Sequence, residues 1–214
     1  MSFKFYEINV TCQFIEELLG TMPNNPEIAA EYIASKASDA KTRQEEIDAI
    51  GVVEYDEKGM TVFPRTAAGV PFVYDYQVKG MFKDSCSLLR RADDTLSKKM
   101  KAYKKEIDGN IFVAPRKIEL QLPPRGFIGD CQRPLRAQTA QGERVALAHS
   151  ETVPDGTIME FKVMVMRKEL LDAVLEWLDY GEYHGFGQWR NSGKGAFLYR
   201  AVDSDGKVVG GNMQ

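Results

Sequence analysis

Near its C-terminal end the chain reads Gly185-Phe186-Gly187-Gln188-Trp189-Arg190-Asn191-Ser192-Gly193-Lys194-Gly195-Ala196-Phe197. Glycines 185, 187, 193 and 195 (Gly185, Gly187, Gly193, Gly195) let the backbone approach another group closely and present its N–H donors. Between them Trp189 can stack on a base, and Arg190 and Lys194 can pair with phosphates. These residue types suit recognition of a phosphate or a nucleic acid. A Walker loop needs a hydroxyl residue after its glycine–lysine pair to reach magnesium, and here Gly195 follows Lys194. A dinucleotide fingerprint needs a third glycine where Arg190 stands. What remains is a glycine loop packed across a sheet with RNA lying against it. The plain structural alternative makes Trp189 a core residue.

Acid–base chemistry has few carriers. Of the two histidines, His184 lies beside Tyr183, just before the glycine loop, and is the candidate base for activating a ribose 2′-hydroxyl. His149 falls on one face of an alternating run with Val145 and Leu147, the pattern of a core or strand-edge histidine. Asp75 reads as a turn aspartate, and Asp93-Asp94 as a helix cap rather than a ligand pair. Cys12, Cys86 and Cys131 are widely spaced, so neither a disulfide framework nor a metal site is expected, which fits a reducing cytoplasm. No cofactor is expected, and beyond His184 no catalytic residue is assigned.

The net charge of −3 conceals an uneven distribution. Residues 1–60 carry 5 Lys and Arg against 12 Asp and Glu, while residues 79–144 carry 15 against 8. A basic middle suits a polyanion. Its lysines, including Lys98 and Lys101, read equally well as a solvated face. No apolar run approaches the ~20 residues of a membrane helix, and the first residues do not read as a secretory signal, so no membrane partner is expected.

Several elements must hold these groups in place. A first strand is expected at FKFYEINV, then a helix from Pro26, a short helix at TRQEEIDAI and a hairpin at 52–63. After a loop, a helix is expected from Tyr76 to Arg90, where Gly80 costs about 1 kcal/mol relative to Ala unless something packs on it. A lysine-rich helix over 94–107, capped by Asp93 or Asp94, carries the stripe Leu96, Met100, Tyr103 and Ile107. IFVAPRKIELQL is expected as a bulged or edge strand. The Pro-, Gly- and Arg-rich 122–144 reads as a long loop or an ordered hairpin arm, from which Arg125, Arg133, Arg136 and Arg144 project. RVALAHS and TIMEFKVMVM are expected to pair as a hairpin. A strong helix at RKELLDAVLEWLDY, the glycine loop, the strand AFLYRAV and a frayed tail complete the chain. The simplest assembly is α+β: a ferredoxin-like, RRM-like antiparallel sheet with helices on one face and large insertions.

The order helix, G-x-G-x5-G-x-G, strand resembles the signature of the RAMP superfamily, the ferredoxin-like RNA-binding and RNA-processing proteins of CRISPR–Cas systems. A second stretch, GVPFVYDYQVKGMFKDSCSLLR, is similar to a segment of the backbone-forming branch, with Lys79, Gly80 and Arg90 at the matching positions. Tyr74-Asp75-Tyr76 departs from the small residues usual before Lys79, and the chain is short for a full backbone subunit. No low-complexity linker divides the chain, which is expected to be one RAMP-like domain over 1–214 with insertions near 40–70 and 90–145. The resemblance implies a cytoplasmic, non-catalytic protein holding single-stranded or guide RNA by backbone contacts. The expected contacts are Lys79, Arg90, Lys98, Lys101, Arg125, Arg133, Arg136 and the loop residues Trp189, Arg190 and Lys194 with the four glycines. Self-association or CRISPR effector subunits are the implied protein partners. Two other readings stay open: a phage-borne anti-CRISPR decoy that binds an effector complex, and a metal-independent endoribonuclease using His184.

Overall fold

The computed structural model describes residues 4–24, 60–139 and 142–213. The two helices expected after Pro26 and most of the hairpin at 52–63 lie outside the described residues.

Alternating apolar residues make Tyr6–Phe14 a strand (β1), burying Ile8, Val10, Cys12 and Phe14 on one face. Short strands follow at Leu18–Leu19 (β2), Met22–Pro23 (β3), Met60–Val62 (β4) and Phe72–Tyr74 (β5). The helix Asp75–Leu89 (α1) begins directly after β5, where a loop was expected; the Tyr74 N–H donates to Gln77 Oε1 at 2.7 Å and fixes the turn into the helix. Next come helices Leu96–Lys99 (α2) and Tyr103–Asn110 (α3), then strands Ile111–Ala114 (β6) and Lys117–Gln121 (β7). Strands Gly129–Thr139 (β8) and Gly142–Val153 (β9) form a long antiparallel hairpin, and Ile158–Val165 (β10) follows. The chain ends with helices Lys168–Asp179 (α4) and Gly181–His184 (α5) and strands Phe197–Asp203 (β11) and Val208–Gly211 (β12).

Among the described residues one sheet runs β12-β11-β1-β10-β7-β5, with β6 also beside β10. The chain order β1, α1, β6–β7, β10, α4, β11, with β11 and β10 flanking β1 and β6–β7 outside β10, is the ferredoxin-like βαββαβ arrangement. Helices α1 and α4 cover one face: Phe82 and Trp177 meet at 5.6 Å in the core that also takes the buried side chains of β1. The expected α+β fold is therefore present. A second sheet orders β2-β9-β4-β3 and carries β8 on β9.

Several local expectations are corrected. The helix expected over 94–107 is two helices, since Met100 (ψ 110) and Ala102 (φ −113) leave helical geometry. Thr95, not Asp93 or Asp94, caps the first by accepting from the Lys98 N–H at 3.2 Å, and Asp108-Gly109 lies inside the second. The strand expected at IFVAPRKIELQL is split at Pro115 and Arg116 into β6 and β7, both paired with β10. The segment from Gly129 onward is the hairpin arm, not a loop. Strands β9 and β10 do not pair with each other: Gly156 N–H donates to Phe14 O at 2.7 Å and Phe14 N–H to Thr157 O at 2.9 Å, so the turn hands the chain to β1 instead. The tail is a strand beside β11, not a frayed end.

Candidate nucleic-acid interface

The glycine loop leaves α5 and folds over itself. Phe186 N–H donates to Gly195 O at 2.8 Å. A Cβ at Gly195 would stand 1.9 Å from Phe186 O, and one at Gly185 2.6 Å from Lys194 O; both glycines have φ of +74°. These two glycines serve the loop's own crossing. A Cβ at Gly187 would press Leu18 at 2.9 Å, so this glycine seats the loop on β2. Gln188 Nε2 donates to Gly20 O at 2.5 Å and to Thr61 Oγ1 at 3.0 Å, and the Gly195 N–H to Glu17 O at 2.9 Å. The loop is thus pinned to the strands after β1. Its tip, Asn191 to Gly193, stays exposed, and Gly193 (φ +82°) faces open space.

Both expected loop cations have carboxylate partners. Arg190 Nη1 pairs with Asp84 Oδ2. His184 Nε2 lies 2.6 Å from the same oxygen and 2.8 Å from Arg190 Nη1. Arg190 can only donate, so Nε2 either accepts from Arg190 or donates to Asp84, according to its tautomer. Burial pushes the Asp84 carboxyl up, but hydrogen bonds from His184 and Arg190 and the charge of Arg190 outweigh it and hold it below the usual aspartate value. Lys194 Nζ sits 3.0 Å from Glu17 Oε2 and 3.9 Å from Glu16 Oε2. The Glu17 hydrogen bond leads in raising its pKa above the ordinary lysine range.

The hairpin arm completes this surface. Arg133 of β8 bonds Ser192 Oγ, and its guanidinium stands 5.6 Å from the ring centroid of Trp189. Trp189 is half-buried in left-handed backbone (φ 55°), while the other tryptophan, Trp177, fills the core. An aromatic face, a guanidinium and an exposed loop tip therefore adjoin one another. Arg190 also lines a cleft of about 520 Å³, with Thr21, Tyr76, Gln77, Gly80 and Asp84 among others. No atom of the described residues lies within 4 Å of a Cβ built on Gly80, so no packing among them requires this helical glycine.

The remaining sequence candidates are dispersed. Lys79 Nζ donates to Asp108 O at 3.1 Å and lies over the Phe112 ring; burial lowers its pKa, against the opposing pull of Asp108. Arg90 stacks 5.2 Å over Tyr103. Lys98 pairs with Asp93 at 2.6 Å, and Lys101 is exposed beside the break between α2 and α3. Arg125 (φ 67°) is exposed near Phe127, which is 77% exposed. Arg136 and Arg144 occupy hairpin positions opposite Val145 and Ala137; their side chains lie outside those described. His149 Nε2 meets Asp130 Oδ2 at 2.8 Å, and Asp75 pairs with Arg116 at 2.5 Å. On the open face of the large sheet, Lys162 pairs with Glu7, while Thr11 and Gln121 donate to Glu160. Among the described residues no cluster of His, Cys, Asp or Glu is arranged to hold a metal ion, and no helix is long and apolar enough to cross a membrane.

Sequence reasoning missed Asp84, Glu17 and Ser192. Asp84 is one more polar residue on α1, and only the fold brings it to His184 and Arg190.

No protein-family model and no curated protein matches the chain. Among solved structures it is similar to a chain in the cryo-EM structure of the Type III-B Cmr-beta bound to cognate target RNA, with a TM-score of 0.50 and 9% sequence identity. The likeness covers 94% of this chain and 61% of that one, so this chain spans less than two thirds of its length. At that identity the likeness concerns the fold.

Proposed function

We propose that this chain is a RAMP-like RNA-binding protein that holds single-stranded or guide RNA by backbone contacts and does not cleave it. The observation that carries the reading is the meeting of Arg133, Trp189 and Ser192, which joins the hairpin arm to the exposed tip of the glycine loop. It occurs on a ferredoxin-like frame similar to that of a chain whose structure contains target RNA. In this reading Trp189 stacks a base, Arg133 contacts the adjoining phosphate, and the Gly193 turn lets the backbone lie close. Arg190 and Lys194, held by Asp84 and Glu17, shape the loop first and reach RNA with their remaining N–H groups. Lys79, Arg90, Lys98, Lys101, Arg125 and Arg136 add long-range attraction. The whole of 1–214 acts as one RAMP-like unit with insertions, working with CRISPR effector subunits or further copies of itself.

The test is fluorescence anisotropy of the full chain with labelled single-stranded RNA, single-stranded DNA and duplexes across a salt titration. Intact RNA on a gel afterwards, with affinity falling steeply with salt, supports the reading. Absence of binding at low salt overturns it.

The hydrogen bond between His184 and Asp84 favours one second reading, a metal-independent endoribonuclease, because a carboxylate-oriented imidazole is a general-base arrangement. Cleaved RNA ending in a 2′,3′-cyclic phosphate, abolished in His184→Ala, would establish it in place of the first.

A further inference from the structure

The break between α2 and α3 opens a second cleft, which the RNA reading touches only through the long-range charge of Lys101. The apolar stripe Leu96, Met100, Tyr103, Ile107 would bury smoothly on one helix. Because Met100 to Ala102 leave helical geometry, the stripe instead parts above the first half of α4. The gap is a cleft of about 540 Å³. Leu96, Met100, Leu170 and Ala173 give it an aliphatic lining, and Leu96 is 37% exposed.

The lining carries three cations, Lys99, Lys101 and Arg167, against two carboxylates, Glu106 and Glu169. Lys99 and Lys101 line the cleft, and Lys104, Lys105 and Lys168 stand exposed close by in sequence on α3 and α4. Among the described residues none of these five lysines forms an ion pair. Arg167 at the same cleft is already bound to Glu106, and Glu169 is the one other carboxylate in the lining. Two uncommitted lysines, Lys99 and Lys101, beside an aliphatic trough select a ligand that carries both carboxylates and apolar side chains.

We propose that this cleft docks an acidic amphipathic peptide segment of a partner protein, with one or two large apolar side chains on Met100, Leu170 and Ala173 and carboxylates on Lys99 and Lys101. A bare phosphodiester backbone would answer the lysines but leave the aliphatic floor facing water. A base would find no aromatic side chain in the lining on which to stack. The volume is ample for the anchor side chains of a docked helix or extended strand.

The experiment is selection from a random 16-residue peptide display library on the immobilised full chain, followed by anisotropy of the enriched peptides. Two variants accompany it: Lys99→Glu/Lys101→Glu, which changes only exposed side chains, and Met100→Glu, which puts a charge on the floor. Circular dichroism and thermal melts confirm that both remain folded. The expected result is a family of acidic peptides with a shared apolar anchor, whose affinity falls about tenfold or more in each variant and declines with salt. Peptides without acidic residues, or peptides insensitive to both variants, would overturn the proposal. So would a comparable loss of RNA affinity in the lysine variant, which would assign the rim to nucleic acid. Concentration-dependent self-association abolished by Met100→Glu would assign the cleft to a second copy of the chain, again against the proposal. Binding of RNA at the glycine loop is measured separately, so the failure of either reading leaves the other standing.

Discussion

Asp84 and His184 meet at 2.6 Å, and Arg190 closes on both. The contact joins the middle of α1 to the end of α5 and to the glycine loop that follows. It makes Arg190, the arginine of that loop, a structural tie. The Arg190 guanidinium favours the ionised form of that carboxylate, and the loop inherits its position from it.

Replacing Asp84 with Asn keeps the shape and removes the charge. The carboxylate is 38% exposed, so solvent screens part of the interaction, and a loss of about 1–2 kcal/mol at pH 7 is expected. The pH dependence has a definite sign. The folded-state pKa of Asp84 lies below its ordinary value, so as pH falls the unfolded chain takes up the proton first. The contribution is therefore complete above about pH 5 and declines as pH drops below the ordinary aspartate value of about 4. Urea unfolding of both proteins at pH 7, 5, 4 and 3 should show the gap narrowing toward acid. A gap that stays constant or widens there would contradict the assignment.

The glycines divide into two classes with opposite expected outcomes. At Gly195 a methyl would overlap Phe186 O, so Gly195→Ala should destabilise by about 3 kcal/mol or more, among the larger single-site effects. Among the described residues Gly80→Ala meets nothing within 4 Å on an exposed helical face, and it should stabilise by about 1 kcal/mol. In a chain of this size that corresponds to about 2–4 °C in thermal melts. If Gly80→Ala instead lowers Tm, the helix has a close neighbour at that position.

Legibility in the sequence follows the range of the interactions. Strand β1, helix α4 and strand β11 show their periods within their own residues, and their places in a ferredoxin-like frame could be read. The fate of β9 could not, because a backbone exchange of Gly156 and Thr157 with Phe14 decides it. The tail strand was hidden by its glycines, which Tyr199 and Arg200 require: a Cβ on Gly211 would reach Tyr199 O at 2.5 Å. At the site, local composition marked Trp189, Arg190, Lys194 and Arg133, but the carboxylates Asp84 and Glu17 are remote in sequence and carry no local signature, and nothing local joins Arg133 to Trp189.

Glu176 explains why the lysine-rich segment starts where it does. Its carboxylate accepts from the N–H groups of Leu96 at 2.6 Å and Ser97 at 3.1 Å, and from Ser97 Oγ at 2.6 Å. Ser97 Oγ in turn accepts from the buried indole N–H of Trp177 at 2.8 Å. Glu176→Ala strands that network, and a loss of about 2–3 kcal/mol in chemical unfolding is expected. Ser97→Ala should cost about half as much, and the double variant little more than Glu176→Ala alone, because the two act through one network. Simple additivity would show that they stabilise separately.

Trp189 separates a structural use from a binding use. Its φ of 55° suits glycine better than tryptophan, so Trp189→Gly removes backbone strain while it removes the ring. If the ring serves packing alone, the variant loses stability and RNA affinity is unaffected. If the ring is the base platform, Tm holds within a few degrees and RNA affinity drops about 5- to 100-fold, the range of one lost stacking contact. The second outcome is expected, because the ring is half-buried and carries Arg133 beside it. Arg133→Ala should then reduce the slope of affinity against salt by about one phosphate contact, with a smaller loss at high salt. Both are read in one set of anisotropy titrations with melts on the same samples. An unchanged salt slope in Arg133→Ala, together with unchanged affinity in Trp189→Gly, would move the RNA surface away from the glycine loop.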